Sequence, residues 1–227
     1  MHLAKEDGET LTISGKIDRF DMKDDAVAIF DYKTGHTEAT LAEIVAGLKL
    51  QLLTYLLAVE QEHPEEPLLP AALMYIYLSG NVTKVDQVPP DGSITLSAKD
   101  HASGYVLADP DLLRALDKDA GENDSCLPVK FNNDGSLRKG SAATLTKEQF
   151  SALLAIVRKN ILSLHSRMIA GDISICPASY KGTAPCRYCP YHTICRFDPG
   201  REEESYDYVR LPSDSELKKE LEERAKK

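Results

Sequence analysis

The 227-residue sequence predicts a mixed α/β fold, a central sheet flanked by amphipathic helices, with an irregular insert and a C-terminal cysteine-rich segment. Three observations predict it. Two strand-like arms flank the turn Lys23-Asp24-Asp25-Ala26 and read as one hairpin. A capped segment of helical period follows directly, and another strand-like run comes after it.

The first arm, Glu9 to Phe20, alternates loosely, with Ile13, Gly15 and Ile17 in the pattern of a strand entering a core. The second, Ala26 to Lys33, carries Val27, Ile29, Phe30 and Tyr32, which predicts burial on both faces. Thr34-Gly35 breaks it. Thr40 with Glu43 forms a capping box. Leu41, Ile44, Val45, Leu48, Leu52, Tyr55, Leu56 and Val59 then predict one helix to about Glu62. A proline-rich stretch ends it, and Ala71 to Leu78 reads as a third strand.

Asn81 to Lys99 reads as a meander turning at Pro90-Asp91-Gly92. Asp109-Pro110 opens a short helix through Asp117, with proline at its first position. Gly121 to Gly140 is polar and turn-rich, the composition of a mobile loop. Thr146 with Gln149 caps a long helix carrying Phe150, Leu153, Leu154, Val157, Ile161, Leu164 and Met168, which ends at Gly171. Residues 1–200 therefore read as one domain, with an insert at about 79–141 and a cysteine segment at 176–198. Residues 201–227 form a charged tail whose last stretch reads as a solvated helix.

Apolar residues make up 42% and charged residues 28% of the chain, ordinary for a globular domain. No apolar run is long enough to span a membrane, and no signal-peptide pattern opens the chain. The net charge of −9 is wrong for a domain that grips nucleic acid alone, which places further binding surface on another domain or partner. Met1 lies a few residues before the first strand-like segment, the start expected of a piece cut from a longer protein. Five cysteines without a secretory signal fit the reducing cytoplasm and metal ligation better than disulfides.

Three constellations carry chemistry. Folded about its turn, the hairpin sets Asp18 opposite Asp31, on the face that Lys33 shares. Facing carboxylates repel, and a divalent cation between them removes the penalty. Asp18, Asp31 and the Tyr32 backbone carbonyl form a hard-oxygen set suited to Mg²⁺ or Mn²⁺, with Lys33 beside it for a phosphate. The plain alternative is a surface ion pair. Gln51 and Tyr55 lie four apart on the capped helix and share a face, which lines the same cleft or else packs structurally. Cys186, Cys189 and Cys195 crowd into ten residues, a density that suits zinc or an iron–sulfur cluster. Cys176, His192 and Cys126 are the candidates for a fourth ligand. The other histidines take no role.

Together these residues resemble the RecB-type PD-(D/E)xK nuclease family, in the form found in the B subunits of helicase–nuclease complexes. The resemblance is carried by Gly15-Lys16-Ile17-Asp18-Arg19-Phe20-Asp21, Asp31-Tyr32-Lys33-Thr34-Gly35 and Leu50-Gln51-Leu52-Leu53-Thr54-Tyr55. It continues through Ser103 to Pro110, Pro185 to Tyr191 and Cys195-Arg196-Phe197-Asp198. It implies a restriction-endonuclease-like core in which Asp18 and Asp31 bind the metal, Lys33 is catalytic, and Gln51 with Tyr55 complete the site. It also implies that Cys186, Cys189 and Cys195 ligate a [4Fe–4S] cluster whose fourth cysteine lies far upstream in the family, in a region this chain lacks. On this resemblance the family's first nuclease helix is also expected to be missing from this chain. The function it implies is Mg²⁺-dependent exonuclease hydrolysis of single-stranded DNA unwound by a helicase, in double-strand-break repair. The implied partner is the A subunit of the helicase–nuclease, and the implied compartment is the cytoplasm. Two alternatives stand beside it: a catalytically silent scaffold for DNA ends or a partner, and a stand-alone exonuclease of the CRISPR-adaptation type.

Overall fold

A computed structural model describes residues 1–4, 10–35, 39–65, 67–78, 90, 102–122, 125, 127–138, 144–201, 205–209 and 212–225. Strands β1 (His2–Ala4) and β2 (Thr10–Thr12) form a small antiparallel ribbon. The main sheet has five strands in the order β3 (Arg19–Lys23), β4 (Ala26–Lys33), β5 (Leu69–Tyr77), β6 (Ala102–Leu107) and β7 (Thr144–Leu145). β3/β4 and β5/β6 are antiparallel, whereas β4/β5 and β6/β7 are parallel, so the sheet is mixed as expected.

β3 and β4 pair in the expected register, from Lys23 opposite Ala26 to Arg19 opposite Phe30. Asp24 turns the chain with φ 54°, a left-handed conformation that aspartate tolerates. The first arm is not one strand, however. β2 ends at Thr12, pairing resumes only at Arg19, and Asp18 lies one residue before the ladder. The Asp18 carboxylate accepts the Tyr32 N–H at 3.0 Å, so a side chain holds the hairpin's mouth where the ladder stops.

The expected single helix over residues 41–62 is two: α1 (Leu41–Val45) and α2 (Gln51–Glu62). The capping box at Thr40 and Glu43 is present. Gly47 then adopts φ +81°, which glycine accepts without steric cost, and the chain reverses. The Leu48 N–H closes back on the Glu43 carbonyl at 2.8 Å, and Asn160 donates to the Val45 carbonyl at 3.0 Å. The break makes Gln51 the first residue of a new helix.

α3 (Pro110–Leu116) and the 23-residue α4 (Lys147–Ile169) form where their caps at Asp109 and Thr146 predict. One face of the sheet packs against α1, α2 and α4 through Val27, Ile29, Leu73, Leu56, Phe150 and Leu153. The opposite face, with Ala28, Ala72, Met74 and Val106, is covered by Leu113, Leu127 and Val129.

Two expectations about the periphery are corrected. The stretch expected to be a mobile loop supplies the buried Leu127 and Val129, and Phe131 bridges Leu137. The cysteine segment follows α4 as β8 (Ala178–Tyr180), a 3-10 turn (Pro185–Tyr188), α5 (His192–Cys195) and β9 (Asp207–Val209), with β8 parallel to β9. The last helix, α6 (Asp214–Ala225), is not solvated on all sides. Leu217 and Leu221 are buried in the main core, and Gln149 donates to the Lys218 carbonyl and the Glu222 carboxylate. Of the expected meander only Pro90 is described, and Cys126 also lies outside the described residues.

Candidate active site

β4 lies between β3 and β5, and its residues alternate between the two cores. Asp31 and Lys33 share one face by the period of two. Asp31 is 3% exposed. Its Oδ2 lies 2.5 Å from Lys33 Nζ in an ion pair, the one close polar partner of that oxygen among the described residues. A buried carboxylate is costly unless a cation serves it, and half-buried Lys33 serves this one from one side.

The break after α1 aims Gln51 at this point. Lys33 Nζ donates to Gln51 Oε1 at 3.0 Å, and Gln51 Nε2 donates to the Tyr55 hydroxyl at 3.0 Å. Tyr55 stands four residues on, directly over Gln51 along the helix. Its hydroxyl accepts from the amide nitrogen, so the amide oxygen turns to Lys33, the only orientation that satisfies both ends. The chain Asp31–Lys33–Gln51–Tyr55 is therefore continuous. Asp18 joins through the Tyr32 N–H and is exposed, at the mouth of the site.

Tyr75 was not singled out by sequence. It pairs with Asp31 across the parallel β4/β5 ladder, is 2% exposed, and has its ring centroid 5.4 Å from Lys33 Nζ. Burial pushes its phenol up to about 12, with the neighbouring Asp31, Tyr55, Glu43 and Tyr77 adding to the rise. Strand parity puts Tyr75 on the same face as Leu73 and Tyr77, but only the crossover through α2 decides which residue of β4 it meets.

Arg19 forms a second cluster on the far face of the hairpin. It grips Asp21 through two nitrogens at 2.6–3.1 Å and lies 4.9 Å over the Phe30 ring. These bonds, with one to Tyr32, hold its guanidinium charged more firmly than usual. Arg19 is thus committed to its own strand, and Lys33 is the cation that stands beside Asp31.

The buried Asp31 carboxylate, the Asp18 carboxylate and the Tyr32 carbonyl lie on one hairpin and are oxygen donors of the kind a divalent metal takes, with Lys33 the cation now paired to Asp31. The cysteines fit their group less well. Cys186 is half-buried, Cys176, Cys189 and Cys195 are exposed, and all four are free thiols. Cys186 and His192 line one cavity of about 490 Å³ with Arg187, Tyr206 and Tyr208, whereas Cys189 and Cys195 do not line it. Among the described residues, no three His, Cys, Asp or Glu side chains gather closely enough to hold a metal by themselves.

The PD-(D/E)XK nuclease superfamily model matches residues 2–196, which takes in the hairpin, α1, α2 and the cysteine segment as far as Arg196. The chain is 34% identical over 225 residues to the B subunit of the ATP-dependent helicase/deoxyribonuclease of Clostridium acetobutylicum, covering 95% of this chain and 19% of that protein. It is 34% identical over 223 residues to the protein of the same name from Clostridium novyi, covering 92% and 19%. For that of Acetivibrio thermocellus the identity is 32% over 221 residues, covering 93% and 19%. The chain thus spans about a fifth of the length of the curated relatives it matches. With the family match running from the first strand through α5 and the hairpin's acids and lysine in place, the chain belongs to the PD-(D/E)XK nuclease superfamily.

Proposed function

We propose that this chain is a metal-dependent deoxyribonuclease domain that hydrolyses phosphodiester bonds of single-stranded DNA delivered by a helicase. The observation that carries the reading is the hydrogen-bonded chain from Lys33 through Gln51 to Tyr55, anchored at the buried Asp31. A surface ion pair has no need of a second and third residue to aim its lysine.

Asp18, Asp31 and the Tyr32 carbonyl would hold Mg²⁺ or Mn²⁺. When bound, the ion supplies a polarised phosphoryl oxygen and a water of lowered pKa. Lys33 meets the charge that grows on the phosphoryl oxygens as the water oxygen bonds to phosphorus and the bond to the leaving sugar oxygen breaks. The water loses one proton and the leaving oxygen gains one, both exchanged with solvent. Gln51 fixes where the Lys33 ammonium sits, and Tyr55 fixes Gln51.

The net charge of −9 supports delivery by other surfaces, since capture of DNA by this domain alone would lack the usual cationic footprint. The curated relatives are named as B subunits of an ATP-dependent helicase/deoxyribonuclease, which supports the A subunit of such a helicase–nuclease as the proposed partner. The process we propose is double-strand-break repair, in the cytoplasm. For the longer protein, Cys186, Cys189 and Cys195 are proposed as three ligands of a [4Fe–4S] cluster, with the fourth thiolate from outside this segment. None of the described helices is long and apolar enough to cross a membrane.

The test is cleavage of end-labelled single-stranded DNA by the full-length protein in complex with its partner, with and without Mg²⁺, comparing wild type with Asp18→Ala. Metal-dependent cleavage lost in Asp18→Ala supports the proposal. Cleavage that ignores both the metal and the substitution contradicts it and leaves the scaffold reading.

A further inference from the structure

Lys33 carries a long, flexible side chain, and two oxygens hold its ammonium from the side: Asp31 Oδ2 at 2.5 Å and Gln51 Oε1 at 3.0 Å. Two directed contacts leave the head free to swing about them. The Tyr75 ring, centroid 5.4 Å from Nζ and inside the range of cation–π attraction, supplies a third contact. Tyr75 is fixed: it is 2% exposed and pairs with Asp31 in the parallel ladder, so its side chain stands on the face that carries Asp31 and Lys33. An ammonium has three N–H donors, and a ring face attracts the charge without capturing one of them as a carbonyl would. Among the described residues two oxygens meet Nζ, which leaves its third proton for a substrate oxygen.

We propose that Tyr75 is a positioning residue for the reaction, the aromatic floor on which the Lys33 ammonium is held between Asp31 and Gln51. The inference rests on the nuclease reading for its effect on turnover, but its physical content, an ordered Lys33, stands apart from that reading.

The full-length protein is tested as Tyr75→Leu and Tyr75→Phe. Tyr75→Leu lowers kcat for single-stranded DNA about tenfold with KM little changed, and Tyr75→Phe, which keeps the ring, rescues kcat to within about threefold of wild type. Mass-spectrometric labelling with an amine-reactive reagent reports Lys33 directly. Its reactivity rises severalfold in Tyr75→Leu and stays near wild type in Tyr75→Phe. Should Tyr75→Leu fail to fold, phenylalanines of increasing fluorination at this position keep the shape and drain the ring face of negative charge, so labelling rises and kcat falls in step along the series. A flat series, or a folded Tyr75→Leu that labels and turns over like wild type, overturns the proposal. A wild type without nuclease activity would sink the nuclease reading, and the labelling would still decide the role of Tyr75.

Discussion

The Lys33 ammonium and the Gln51 side-chain carbonyl lie 3.0 Å apart, joining the end of β4 to the first residue of α2. That bond exists because the helix after the hairpin breaks at Gly47 and restarts at Gln51. A continuous helix would place residue 51 well inside its length, with its side chain aimed by the earlier turns instead.

Removing Gln51 therefore costs more than removing Tyr55. Gln51→Ala deletes a hydrogen bond to a charged group, worth roughly 1.5–3 kcal/mol, so kcat falls about 10- to 100-fold. Tyr55→Phe deletes a neutral bond worth roughly 0.5–1.5 kcal/mol and lowers kcat about 3- to 10-fold. Steady-state cleavage of single-stranded DNA by the two variants checks the order.

Mg²⁺ stabilises the folded protein if Asp31 and Asp18 hold it. At a tenfold excess over Kd the gain is about 1.4 kcal/mol, read as a rise in Tm, and chelation by EDTA reverses it. Asp31→Asn abolishes the rise. An equal rise in wild type and variant would place the ion elsewhere.

Much of this site was legible in the sequence, for local reasons. A two-residue turn sets a hairpin register, a threonine and a glutamate three apart set a helix start, and residues four apart share a helix face. That Asp31 and Lys33 share a strand face, and Gln51 and Tyr55 a helix face, depends on little else, whereas the meeting of Gln51 with Lys33 depends on the break after α1. What escaped depends on distant parts of the chain. Asp18 lies beyond the ladder because pairing stops at Arg19, and its bond to the Tyr32 N–H is a tertiary choice. Tyr75 meets Asp31 through a parallel crossover, whose register no local pattern encodes. The helix break hides in an apolar run that keeps its period through Leu48, where only the backbone of Gly47 departs.

The terminal helix hides its burial for a related reason. Most of its 12 residues are acidic or basic, and its two buried leucines look slight beside them. Leu221 is 1% exposed against α4 and the core. Leu221→Ala should lower the unfolding free energy by about 2–5 kcal/mol in urea denaturation, whereas a surface change such as Glu223→Ala should stay within about 0.5 kcal/mol.

Glu60 gives the pH dependence a sign. Burial raises its pKa above the ordinary value, partly offset by Arg158. Between the ordinary value of 4.5 and the raised folded value, the native state binds the proton that the unfolded chain has released. Its contribution is full below pH 4.5 and is lost as pH rises through the folded value. Glu60→Gln should flatten that part of the stability profile and raise the Tm measured at neutral pH relative to wild type.

The most direct measurement of the central claim separates unwinding from cutting. The full-length protein in complex with its partner, with ATP and Mg²⁺, is given linear duplex DNA labelled on each strand in turn, as wild type and as Lys33→Ala. Lys33→Ala should unwind at the wild-type rate and lose cleavage of one strand by about 100-fold or more, because the charge on the phosphoryl oxygens is no longer met. Wild-type cleavage of both strands by Lys33→Ala would contradict the account, and the chain from Asp31 to Tyr55 would then be a structural brace between β4 and α2.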